Sequence, residues 1–196
     1  MKASIALTLT CSGFAILAAC GGGASAAAPE GTASVAGSIN GTAISEGSAV
    51  SAQVQDSKGG SALIEISDDA VLCDQLGEGQ IGGGQHRLEI VVYTIGANKQ
   101  SQAPAAPGPY TLNVQDPGGL FAAVAYLTTD PACGQIISQS GKATSGTVTL
   151  TSIANGIYAG TFDIKLDTGD RLTGSFSPSA CAALQKLDDG VPLRCR

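Results

Sequence analysis

From Val35 onward, apolar and polar residues alternate with a period of two, the mark of strands with one buried face. Ser34 to Ile39 reads as a first short strand, and Asn40-Gly41 as a hairpin turn, because both residues accept positive φ. Ala49 to Gln55 follows, with Val50, Ala52 and Val54 on one face, then a turn at Lys58-Gly59-Gly60. Ala62 to Ser67 carries Ile64 and Ile66 on one face. The pattern then breaks. Asp68 or Asp69 is placed to cap a helical turn through Leu76 that Gly77 ends.

Arg87 to Ile95 is the most apolar strand, with Leu88, Ile90 and Val92 on one face and Val91 and Tyr93 on the other. That pattern predicts a central strand covered on both faces. Pro104, Pro107 and Pro109 put an exposed loop over 98–109. Tyr110 to Val114 reads as a strand, Asp116-Pro117-Gly118-Gly119 as a turn, and Leu120 to Thr128 as a strand on the weight of Val124, Tyr126 and the threonines. Three alternating stretches, 146–151, 160–166 and 171–177, predict an antiparallel meander, and Cys181 to Leu187 a last helical turn. About nine or ten short strands with regularly spaced turns predict an all-β protein: an antiparallel β-sandwich, with a barrel as the alternative.

Composition narrows the class. Charged residues are only 13% of the chain and the net charge is −6, which argues against nucleic acid as a partner, since that ligand wants a basic face. Four cysteines lie in the strand-rich region: Cys73, Cys133, Cys181 and Cys195. An even number in an exported chain predicts two disulfides. Of the three connectivities, Cys73–Cys133 with Cys181–Cys195 is favoured, the second pair closing a short loop that ties down the C-terminus. Zinc is disfavoured, with no CxxC pair and His86 the single histidine.

The N-terminus supplies an address. Lys2 precedes a charge-free apolar run from Ile5 to Ala19, too short to span a bilayer comfortably. The run ends in Leu17-Ala18-Ala19-Cys20, which resembles a bacterial lipobox. The resemblance implies a signal peptide over 1–19, cleavage before Cys20, and a diacylglyceryl group plus an N-acyl chain (palmitate being such an acyl group) on that cysteine. Two or more chains anchor a protein stably in lipid. Gly21, where some lipoproteins carry Asp, resembles those sorted to the outer membrane of Gram-negative bacteria. Residues 20–34 then form a tether of about 20 Å root-mean-square span, and 35–196 a single domain. The blocks Gly146-Thr147-Val148-Thr149-Leu150-Thr151, Gly160-Thr161-Phe162-Asp163 and Gly174-Ser175-Phe176 are similar to those of β-rich lipoproteins of unassigned function from Gram-negative bacteria.

Chemistry is harder to find. Gly77-Glu78-Gly79-Gln80-Ile81-Gly82 matches GxGxxG in letters, but the fingerprint needs a strand before it and a helix after it, and here the order is reversed. His86 lies beside a glycine run and reads as a loop residue. Tyr93, Tyr110, Tyr126 and Tyr158 sit in or beside strands and read as packing residues. Two aspartate groups, Asp68/Asp69/Asp74 and Asp163/Asp167/Asp170, lack EF-hand spacing and read as caps and turns. Asn40-Gly41-Thr42 is a sequon by chance. No catalytic residue, metal or cofactor is assigned. The expectation is an envelope lipoprotein with a non-enzymatic binding or structural role, partnered by membrane lipid through Cys20 and by an envelope protein or glycan. The loops over 78–86 and 98–109 would be its binding edge. A secreted hydrolase with an unrecognised site, or a carbohydrate-binding module, is the alternative.

Overall fold

A computed structural model describes residues 31–39, 41–43, 47–57, 59–112 and 119–196. The lipobox, the tether up to residue 30, Asn40, Lys58, residues 113–114 of the strand expected over 110–114 and residues 116–118 of the turn expected over 116–119 lie outside the described residues.

Nine strands of four or more residues make the body: β1 (Gly31–Ala36), β2 (Gly47–Asp56), β3 (Gly59–Ser67), β4 (His86–Ile95), β5 (Gly108–Thr111), β6 (Leu120–Thr128), β7 (Gly141–Ala154), β8 (Ile157–Leu166) and β9 (Arg171–Ser177). They belong to one sheet in the order β1-β9-β8-β7-β5-β6-β4-β3-β2. β2 then pairs back onto β1, with Gly31 opposite Ala49 and Ala33 opposite Gly47. The all-β expectation is met, but the nine strands form one continuous sheet that closes on itself, beside two small two-stranded pairs. It is also mixed rather than purely antiparallel. β5 runs parallel to β6 where Thr111 meets Phe121, and Ser179-Ala180 runs parallel to β2. The wedge strand β5 explains one parallel pairing. β6 and β7 touch directly only at Ala125/Lys142 and Tyr126/Gly141, then diverge, and β5 fills the gap between them.

Alternation decides what fills the interior. Ala62, Ile64 and Ile66 of β3, Leu88, Ile90 and Val92 of β4, and Ala122, Val124 and Tyr126 of β6 point inward and are buried. Phe162, Ile164 and Leu166 of β8 and Leu172 and Phe176 of β9 close the core from the other side. Two glycines make room there. Gly160 pairs with Phe176, and Gly174 with Phe162. Each ring lies over the opposite glycine, and the rings face each other 6.5 Å apart. A β-carbon on Gly174 would sit 2.2 Å from the Ser34 carbonyl oxygen and 2.6 Å from Phe162 Cζ. Gly174→Ala should therefore cost about 1–3 kcal/mol, the usual penalty of overpacking, read as a lower urea midpoint with an unchanged m-value.

Several local expectations hold and several shift. Leu120 to Thr128 is a strand, as expected. The first strand begins at Gly31, inside the region expected to be tether (20–34). The strand over 146–151 is longer in both directions, Gly141 to Ala154, because Asn155-Gly156 supplies the tight turn to β8. Their φ values of 52° and 78° are those of a two-residue hairpin turn. The helical turn expected after Asp68 is α1 (Leu72–Gly77), but no side chain caps it. Asp69 instead accepts from Val71 N at 3.0 Å, and Asp68 from His86 N at 3.1 Å, so both fix the chain ahead of the helix. The C-terminal turn is a 3₁₀ segment, Ala182–Leu184, followed by α2 (Gln185–Asp188).

Candidate functional site

The outer face of β2 and β3 is apolar too. Val50, Ala52, Val54 and Leu63 form a second buried cluster with Leu72 and Leu76 of α1 and with Cys181 and Leu184. α1 and the C-terminal segment thus make an outer layer over part of the barrel wall. Lys186 Nζ donates to the Leu76 and Gly77 carbonyl oxygens at 3.0 and 2.6 Å, satisfying the C-terminal end of α1. Arg194-Cys195 pairs in parallel with Gln80-Ile81.

Two disulfides fasten this layer, Cys73–Cys181 and Cys133–Cys195. The two bridges are as expected, but the favoured connectivity, Cys73–Cys133 with Cys181–Cys195, is not. Loop length favoured the local pair, whereas packing decides the native one. Cys181 enters the second cluster beside α1, which carries Cys73. The chain beyond it then runs past Gly79 to Ile81, where the bridged Cys133 has its sulfur 3.5 Å from the Ile81 carbonyl oxygen.

The residues singled out by sequence do not converge. His86 is half-buried, its Nδ1 2.8 Å from the Tyr126 hydroxyl and 3.2 Å from Thr128 Oγ1. The space beside it measures about 10 Å³, too small for a substrate. Tyr110, Tyr126 and Tyr158 are buried, so they form no exposed aromatic row. Asp163 holds Arg171 in a two-pronged pair on the surface, and that guanidinium lowers the Asp163 carboxyl below its ordinary range. Asp167 accepts from Lys142 N, and Asp170 from Thr168 Oγ1. Among the described residues, no three His, Cys, Asp or Glu side chains are grouped so as to hold a metal ion.

A cluster that alternation did not flag lies under the outer layer. Glu65 of β3 is fully buried, and both carboxyl oxygens lack a hydrogen bond. Its nearest cation, Arg87 Nη1 of β4, stands 3.8 Å away. Burial pushes the Glu65 carboxyl up to about 8, against the pull of Arg87 and with a further push from Glu89, its cross-strand neighbour. Glu89 is raised as well, first by burial, with Arg87 opposing and Asp188 adding to it. Asp69 accepts from Gln75 Nε2 at 2.5 Å and from Gln85 Nε2. In sequence, Glu65, Arg87 and Glu89 occupy the positions between inward Ile64, Ile66, Leu88 and Ile90, and so read as solvent-facing. The outer layer buries Glu65 and Arg87 and leaves Glu89 half-buried.

Open concavities lie elsewhere. A groove of about 780 Å³ over β1, β8 and β9 is lined with hydroxyls such as Ser34, Thr161 and Ser175, with Asp68 the one charged group among the described residues that line it. Of three smaller grooves, two meet at Tyr93 in a valley across the outer face of β4 and β6, and the other lies at the strand ends beside it. One of about 540 Å³ lies against the Ser101–Ala105 stretch and gathers Gln53, Gln55, Gln100 and Gln102. It shares Asp56, Gly59 and Ser101 with one of about 350 Å³ that reaches Lys99, Asp188 and Tyr93. Beyond Tyr93 a third, of about 360 Å³, runs over Ala123 and Ala125 to Lys142 and Glu89. Tyr93 forms the ridge between the last two, braced by Phe121 at a ring distance of 5.5 Å. Of the two loops expected to form the binding edge, 98–109 therefore borders this valley. The loop over 78–86 is occupied by the C-terminal strand instead.

No protein-family model matches the chain, and neither a curated protein nor a solved structure matches it at a significant level.

Proposed function

We propose that this protein is a lipid-anchored lipoprotein of a bacterial cell envelope, held through acylated Cys20, whose barrel binds an envelope partner without turning it over. The observation that carries the reading is the pair of bridges between distant segments, because such disulfides form and persist in oxidising compartments. The lipobox-like Leu17-Ala18-Ala19-Cys20 supports the anchor and Gly21 the outer membrane. The valley beside Tyr93 supports binding. It is open and lined by Tyr93, small side chains and charges of both signs, which suits an extended polar chain such as a glycan strand or a peptide better than a compact substrate. The most perturbed carboxyl, Glu65, is sealed from solvent and so is unable to touch a substrate.

Cys20→Ser should release the protein from the membrane fraction and block processing, and metabolic labelling with an acyl-chain analogue should mark the wild type alone. A Cys20→Ser protein that is still processed, labelled and membrane-bound would overturn the anchor. Tyr93→Ala should leave folding intact and weaken capture of the protein by crosslinked envelopes; unchanged capture would remove the valley from the reading.

A further inference from the structure

Among the four cysteines of the domain, the bridges pair the first with the third and the second with the fourth. Both native partners, Cys181 and Cys195, come at the C-terminal end. A chain exported N-terminus first presents Cys73 and Cys133 to the oxidising side before either. The barrel is then still open, because β8 and β9 follow Cys133 in sequence. No native packing yet draws the two thiols apart. When Cys181 and Cys195 arrive, they lie close in sequence, and short loops close most readily. Each step uses up the thiols that the native bridges need. Once Cys73–Cys133 and Cys181–Cys195 have both formed, the domain holds no thiolate to attack either bond, and exchange needs a thiolate from outside.

We infer that this protein is a client of a thiol–disulfide isomerase, which converts Cys73–Cys133 and Cys181–Cys195 into the native Cys73–Cys181 and Cys133–Cys195. The chemistry balances. In the first stage each dithiol gives two electrons and two protons to an oxidant, either a protein disulfide, which becomes a dithiol, or oxidised glutathione, which becomes two glutathione thiols. In the second, the isomerase thiolate attacks the Cys181 sulfur, forms a mixed disulfide and expels the Cys195 thiolate. That thiolate attacks the Cys133 sulfur, forming Cys133–Cys195 and expelling the Cys73 thiolate. Cys73 then attacks the Cys181 sulfur of the mixed disulfide, forming Cys73–Cys181 and returning the isomerase thiolate. The second stage transfers no net electrons. Native packing drives it forward, because only the native pairing seats Cys181 in the second core cluster and lays Arg194-Cys195 beside Gln80-Ile81.

The inference rests on the export reading. Its test starts with the chain from residue 20 carrying Cys20→Ser, reduced, unfolded and diluted into a glutathione redox buffer with or without a purified disulfide isomerase. Samples are quenched by alkylation and the linked peptides identified by mass. The Cys181–Cys195 peptide, whose loop is the shortest, should appear first, followed by Cys73–Cys133, and both should decay; native pairs should form about ten-fold faster or more with isomerase, and conversion should stall when reduced thiol is left out. Native pairs forming directly, at the same rate with and without isomerase, would overturn the inference. A chain carrying both Cys133→Ser and Cys195→Ser has no wrong partner for Cys73, so its Cys73–Cys181 bridge should form at a rate indifferent to isomerase. Persistent dependence there would also overturn it. In cells, an isomerase lacking its resolving cysteine should be recovered in mixed disulfide with the protein. Four alkylatable thiols in intact cells would overturn export, and with it the cellular partner, whichever way the purified reaction runs.

Discussion

Glu65→Gln should remove a fall in stability of about 5 kcal/mol that the wild type shows as pH rises from 4.5 to 8. The buried carboxyl holds its proton to about 8, against an ordinary 4.5. Between those values the folded chain binds a proton that the unfolded chain has lost, so stability decreases with rising pH. The full window of 3.5 pH units, at 1.36 kcal/mol per unit, gives about 5 kcal/mol. Stability is greatest on the acid side, where Glu65 is protonated in both states, and the loss is complete once pH passes the folded value. Glu89, raised in the same direction, adds to the slope. Arg87 opposes it, but its Nη1 stands 3.8 Å from the carboxyl and Nε and Nη1 have no hydrogen-bond partner, so it offsets burial only in part. Urea unfolding at pH 5, 7 and 9 reads the effect. The wild type should lose stability steadily and Glu65→Gln should lose little, making the variant several kcal/mol the more stable at pH 9. Parallel pH profiles for the two proteins would mean that Glu65 is ionised in the fold and compensated by Arg87.

Removing the Cys73–Cys181 bridge should cost about 5 kcal/mol. The bond closes a loop across a sequence separation of 108, and the entropy model of a cross-linked unfolded chain gives that size of effect. Cys133–Cys195, with a separation of 62, should be worth about 4 kcal/mol. The two losses differ in kind. Cys181 is buried in the second cluster, so a chain with Cys73→Ala and Cys181→Ala should loosen the whole outer layer and bring solvent to Glu65. Cys195 is exposed at the chain end, so losing its bond should free chiefly the last residues from Gln80-Ile81. Urea midpoints of the two double-alanine chains at pH 5, with amide exchange of α1 and of Arg194-Cys195, separate these outcomes. A Cys73→Ala, Cys181→Ala chain within 1 kcal/mol of the wild type would show that packing alone holds the layer.

Strands were legible because each has one face in the core. Leu88, Ile90 and Val92, or Phe162, Ile164 and Leu166, announce both the element and the side it buries. Partners were not legible. Nothing in Gly31 to Ala36 says that it pairs with β9 on one side and β2 on the other, yet that double pairing closes the sheet. The parallel wedge of β5 depends on β6 and β7 diverging, a result of twist and stagger around the ring. Val50, Ala52 and Val54 were rightly put on one face, but that face points out of the barrel, toward a layer that the local pattern cannot foresee.

The same boundary divides the candidate sites. Sequence alone determined the all-β class, most strand positions, the lipobox resemblance and the number of bridges, because each rests on residues close together in the chain. Tertiary structure alone decided which cysteines pair, that Glu65 and Glu89 are shielded, that His86 faces Tyr126 rather than a cleft, and that a valley crosses Tyr93. The reason is physical. Alternation, turns and signals are short-range properties of the chain, whereas burial of a charge and the meeting of two thiols depend on which distant segment covers which face.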